Sequence, residues 1–206
     1  LVNWYKALPE AVFRQRPKLT IRCAHKLMMI ATMDDTEAML NSPWLAELTD
    51  PELQGEIILL RGYIALERLQ HEQAFTNAQS AKTLLTTTND FWGGTYGLEG
   101  HVYFQQGNLA AAEIAYQQAA LLDEKAGRTS GAIGWLYGLA RVYQAQHRFH
   151  EEEEAFQHCL KLLAGTQSLS EGNLYLRLAW LQELRGEFAM AEMHLRTGIA
   201  IFQRIG

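Results

Sequence analysis

"GHVYFQQGNLAAAEIAYQQA", Gly100 to Ala119, decides the fold. Gly100 is followed one turn later by Tyr103, Gly107 marks a reversal, and Ala112, Tyr116 and Ala119 recur at helical spacing. Small and apolar residues three and four apart on both sides of a glycine predict a helix, a tight turn and a second helix. The pattern returns as Ala140, Tyr143, "QHRF", Glu152, Phe156 and Cys159, and again as Ala179, Gln182, "RGEF", Ala191, Leu195 and Gly198. A weaker copy lies upstream at Gly62, Ala65, Ala74, Ala78 and Ala81. In each copy the small residue of the first helix precedes its counterpart in the second by 12, with Glu152 standing once in the counterpart's place. From copy to copy the step is 38, 40 and 39, which assigns the extra length to the connections between hairpins.

All four prolines (Pro9, Pro17, Pro43, Pro51) fall in the first quarter, and alternating β-branched runs are nearly absent. The fold class expected is therefore all-α, a set of antiparallel helix hairpins stacked as an α-α solenoid. Small residues let two helices approach, and the aromatic one turn on fills the groove beside them. This pattern resembles the tetratricopeptide repeat, whose glycine-to-tyrosine and alanine-to-aromatic spacings match Gly100 to Tyr103 and Ala112 to Tyr116. The period is longer than the ~34 residues usual for that repeat, and its closing proline is missing after Pro51. The resemblance implies a right-handed superhelix. The chain is read as a single domain of about five hairpins, 17–48, 51–88, 95–127, 130–165 and 169–206, with 1–16 as a lead-in. Turns are expected at Gln106 to Asn108, Gln146 to Arg148 and Arg185 to Glu187, and "TDPELQGE" predicts a helix capped by Asp50 with Pro51 at its first position. The first hairpin fits least, because Lys26 occupies the place held later by Gly or Ala.

The chain of 206 residues is 48% hydrophobic and 20% charged, with a formal charge of -5, as expected of a globular protein that binds neither membrane nor nucleic acid. No stripe of Lys and Arg is present to neutralise phosphates. No apolar run approaches a membrane span and no signal peptide is recognised, so a cytoplasmic location is expected. Cys23 and Cys159 sit among apolar neighbours, where a free thiol behaves as a small hydrophobe.

The opening stretch, "WYKALPEAVFRQRPKL" from Trp4 to Leu19, is followed by "CAHKL" and "DDTEAML". Residues 4 to 40 resemble the junction that opens the helical-repeat domain of MalT-like transcriptional activators, bacterial proteins with a LuxR-type DNA-binding end. The resemblance implies a chain that begins mid-protein and serves as a sensor, taking a small-molecule inducer or a regulatory protein on its concave face. It also implies self-association in the full-length activator. Neither a phosphate loop nor a helix-turn-helix is found in these 206 residues. The alternative is a general scaffold for protein or peptide partners built from the same repeats.

The candidate binding surface is the wall formed by the first helices: Tyr63 and Glu67, then Gly97, His101 and Gln105, then Tyr137, Arg141 and Gln144, then Asn173, Trp180 and Glu183. Each set advances by three or four residues and so shares a helix face. Within it His101, Tyr137, Arg141 and Trp180 are expected to line one patch. Arg141, read as the only guanidinium there, offers a fork of donors for a carboxylate, phosphate or sugar. Arg141→Ala or Tyr137→Ala is expected to weaken binding without loss of stability. The bland alternative is that these aromatics simply pack the wall.

"HRFHEEEEAFQHC" sets His147, Glu151, Glu154 and His158 at spacings that suggest a metal, but His147 falls in the turn, and a solvated first helical turn is the simpler reading. "NDFWGGTYG" is read as a long connection pinned by aromatic anchors, or else as a gate over a ligand. No nucleophile, base and orienting group stand at motif-like spacing, so no enzyme, catalytic residue, metal or cofactor is expected.

Overall fold

The computed structural model describes residues 9–30, 33–163, 166 and 168–205. Trp4 to Leu8, Ala31 and Thr32, all in the stretch that carries the activator resemblance, lie outside the described residues. Among the described residues every regular element is helical. The chain divides into two compact units, one ending at Gln106 and the other starting at Gly107.

In the first unit α1 (Glu10–Gln15) leads into α2 (Pro17–Ile30) and α3 (Met33–Leu40), followed by a 3-10 turn (Pro43–Glu47). The Thr20 hydroxyl of α2 donates to the Phe13 carbonyl at 3.1 Å and ties α1 down. The small residue fully buried on α2 is Ala24, whereas Lys26 is exposed, so the close approach lies two positions earlier than the repeat spacing put it. Trp44 and Leu45 of the 3-10 turn complete this part of the core.

Next come α4 (Pro51–Glu67), α5 (His71–Leu84) and α6 (Trp92–Gln105). Asp50 caps α4 as expected, its carboxylate accepting the Glu52 amide at 2.9 Å. Gly62 shows why the repeat wants a small residue: a Cβ there would meet Leu98 Cδ2 of α6 at 2.5 Å and Asn77 Cβ of α5 at 3.1 Å. Ala74, Ala78 and Ala81 present the matching face of α5 and are fully buried.

The second unit holds α7 (Leu109–Lys125), α8 (Thr129–Ala145), α9 (Phe149–Leu163), α10 (Leu169–Leu184) and α11 (Phe188–Ile205). Successive helices pack against one another. Tyr116 of α7 fits against Gly138 of α8, where a Cβ would lie 2.6 Å from the Tyr116 ring. Gly131, near the start of α8, leaves room in the same way for Asp123, which accepts Arg128 Nε at 2.9 Å and Trp135 Nε1 at 2.7 Å. The connection between α7 and α8 spans only residues 126–128, and both helices run to 17 residues against 14 for α5 and α6. The longer step is therefore taken up by an extra turn of helix, not by the connection as the sequence spacing suggested.

The chain reverses at Gly107, His147 and Gly186 within the three expected turns, with φ of 77°, 57° and 75°. Leu69 holds the same left-handed conformation at φ 59° although its side chain is exposed. Leu69→Gly should therefore stabilise the chain by about 1 kcal/mol, because a Cβ is strained there and little packing is lost. Urea unfolding of the two proteins checks this.

Candidate functional site

The residues predicted for the binding wall divide between the units. In the first, Tyr63 of α4 and His101 of α6 come together edge to face, ring centroids 6.3 Å apart, and the Tyr63 hydroxyl donates to the Gly94 carbonyl at 2.8 Å. Glu67 and Gln105, at the ends of these helices, are exposed. Gly97 is buried, so it packs the interior and does not open the wall.

In the second unit Tyr137, Arg141 and Gln144 follow one face of α8, with Arg141 exposed and the other two half-buried. Tyr137 packs edge to face on Phe156 of α9, centroids 5.5 Å apart, and burial pushes its hydroxyl up to about 12. Its ring therefore serves packing, and Tyr137→Ala would cost stability as well as any binding. Gly134, one turn earlier, has open space above it. On α10, Asn173 and Glu183 are exposed, and Trp180 keeps 38% of its surface in solvent.

Sequence reasoning missed Arg177. This exposed residue lies one turn before Trp180, and its charge acts on both Tyr137 and the buried Glu152. Arg141 is thus not the only guanidinium among these first helices. The spacing from Arg177 to Trp180 could have revealed it, since it is the same one-turn step that relates Tyr137 to Arg141.

The other motifs have structural roles. Phe91 is buried beneath Arg22, whose guanidinium lies 4.6 Å from the ring centroid, and His25 meets the same ring edge-on at 5.1 Å. Burial, then the nearby Lys26 and Arg22, lower the His25 pKa to about 4. The Asn89 amide donates to Glu52 at 3.0 Å and to Glu56 at 2.9 Å, which locks the start of the connection. The connection is shorter than the sequence suggested, because α6 begins at Trp92 and takes Gly93 and Gly94 into its first turn. In the histidine-rich stretch, His147 sits in the turn and His158 faces Glu124 at 3.2 Å. Among the described residues no group of three or more His, Cys, Asp and Glu is placed to hold a metal.

Residues 94–125 and 132–204 each match models of the tetratricopeptide repeat. The chain carries tetratricopeptide repeats. Among solved structures it is similar to BtubC (BKLC) from P. vanneervenii, with a TM-score of 0.72 at 14% identity over 95% of this chain and 86% of that one. Aspartyl phosphate phosphatase F from Bacillus subtilis also gives 0.72, at 12% identity over 95% of this chain and 55% of that one. A putative kinesin light chain from Podosopora anserina with nearly identical TPR-like repeats gives 0.66, at 14% identity over 94% and 97%. Likeness at such identities concerns the fold. No curated protein matches the sequence.

Within the tetratricopeptide pattern Glu152 departs most. It fills the small-residue place on α9, is 2% exposed, and its Oε2 has no hydrogen-bond partner among the described residues. Burial raises its pKa to about 7, against the opposing charge of Arg177. Among the described residues no helix is long and apolar enough to cross a membrane.

Proposed function

We propose that this chain is a non-catalytic protein-interaction scaffold of tetratricopeptide type, acting in the cytoplasm, that takes an acidic peptide segment on the first helices of its second unit. The observation that supports it is a pair of exposed guanidinium groups, Arg141 on α8 and Arg177 on α10, on helices that also carry Tyr137 and the part-exposed Trp180. On a chain of net charge -5, two arginines beside aromatic surface favour a carboxylate-bearing ligand over a neutral one. Gly134 leaves room for a peptide backbone to lie close to α8. Tyr63, Glu67, His101 and Gln105 of the first unit, with Gln144 of the second, are proposed as flanking contacts.

The reading as the sensor domain of a MalT-like activator, with an inducer as ligand, has one support, the resemblance of residues 4 to 40. The repeat matches favour the general scaffold.

The test is fluorescence anisotropy with an array of labelled peptides graded in Asp and Glu content. Acidic peptides should bind, and Arg177→Ala or Arg141→Ala should weaken them about tenfold or more while the melting temperature stays within about 2 °C. Equal binding of neutral peptides, or no change in either variant, would overturn the proposal.

A further inference from the structure

In the second unit, the second helix of each hairpin turns one face toward the helix that follows. On α7 this face carries Glu113, Tyr116 and Ala120: Tyr116 is fully buried against α8, and Glu113 accepts Arg148 Nη1 at 2.7 Å from the turn that ends α8. On α9 the equivalent residues are Glu153, Phe156 and Leu160. Phe156 is buried, and Glu153 accepts Arg185 Nη2 at 2.6 Å from the turn that ends α10. The same device is therefore built twice: an apolar stripe under the next helix, and a glutamate near the stripe's start that takes an arginine from that helix's C-terminal turn.

A step of 39 residues carries the pattern to Glu192, Leu195 and Ile199 of α11. Here the face is open. Leu195 is 44% exposed, Ile199 43% and Phe188, at the head of the stripe, 69%. Glu192 pairs along its own helix with Arg196 at 2.6 Å, both side chains largely in solvent. A helix face suited to water would carry polar residues at these places, as the outer faces of terminal repeats do. Apolar residues kept in the register of a buried interface mark a docking surface.

We propose that this face of α11 binds one amphipathic helix of a partner protein, running antiparallel to α11. Its apolar stripe covers Phe188, Leu195 and Ile199, and an arginine at its C-terminal end reaches Glu192. The recognition chemistry is that of α10 on α9, where aliphatic and aromatic contact provides the burial and the arginine-glutamate pair sets direction and register.

The probe is a peptide with the sequence of residues 169–186, which contains Arg185, held helical by a side-chain staple on its polar face and labelled for anisotropy against the full chain. Saturable binding is expected. Leu195→Glu should abolish it, and Glu192→Lys should weaken it about tenfold, with binding restored by a peptide in which Arg185 is replaced by Glu. Circular dichroism of both variants should match the parent. Absence of binding, or binding indifferent to both α11 variants, overturns the proposal. Sedimentation showing a dimer of the chain that Leu195→Glu dissociates would assign the face to a second copy and overturn the partner helix as its occupant.

Discussion

Tyr116→Ala should destabilise the second unit by about 3–5 kcal/mol, and in its presence Gly138→Ala should change from harmful to helpful. Tyr116 is fully buried, and its ring occupies the space where a side chain on Gly138 would start, with the nearest ring carbon 2.6 Å from a Cβ built there. Adding a methyl group to the intact protein must push the ring or separate α7 from α8, at about 1–3 kcal/mol. Once the ring is gone, the methyl enters vacated space, and alanine is the better helix former by about 1 kcal/mol. The three variants form a double-mutant cycle with a coupling energy well above that of independent sites. Guanidinium chloride unfolding measures it, and additive effects would mean that Gly138 is not there to admit Tyr116.

That pair also shows which features of this fold can be seen in one sequence. The spacing of 12 between small residues reports a local geometry, the length of a helix end, a turn and a helix start, and it recurs because each hairpin meets the same steric limit at Gly62, Gly100, Ala140 and Ala179. The turns at Gly107 and Gly186 are legible because left-handed backbone favours glycine. The turn residue Leu69 carries no such mark. Other features depend on residues far apart in the chain. Nothing near Asn89 announces that it will bridge Glu52 and Glu56, over thirty positions earlier. Gly131 looks like a helix-weakening residue until Asp123 is seen to occupy its missing side chain's place. In the candidate site, Arg141 and Trp180 were visible from their helical phase, whereas Arg177 becomes relevant through its charge acting across helices on Tyr137 and Glu152.

Glu152 gives the sharpest dependence on conditions. Its carboxyl lies where the other copies place alanine, is almost wholly buried, and titrates at about 7 instead of the ordinary 4.5, with burial as the main cause and the Arg177 charge opposing it. Between those two values the unfolded chain has released the proton while the folded chain still holds it, so folding takes up a proton and stability must fall as pH rises. Below about 4.5 both states are protonated and no penalty applies; above about 7 both are ionised and the full penalty remains. The whole effect is on the order of 2–3 kcal/mol, since each tenfold change in proton affinity between the two states is worth about 1.4 kcal/mol. Glu152→Gln keeps the shape and removes the titration, so it should match the parent near pH 4 and exceed it by that amount at pH 8. His25 and His194, whose pKa values are lowered chiefly by burial, are common to both proteins and cancel in the difference. Urea unfolding of the pair at each pH from 4 to 8 reads it directly. Parallel curves across that range would show that the buried carboxylate finds compensation enough to ionise without cost, and that its place in the small-residue register carries no electrostatic penalty.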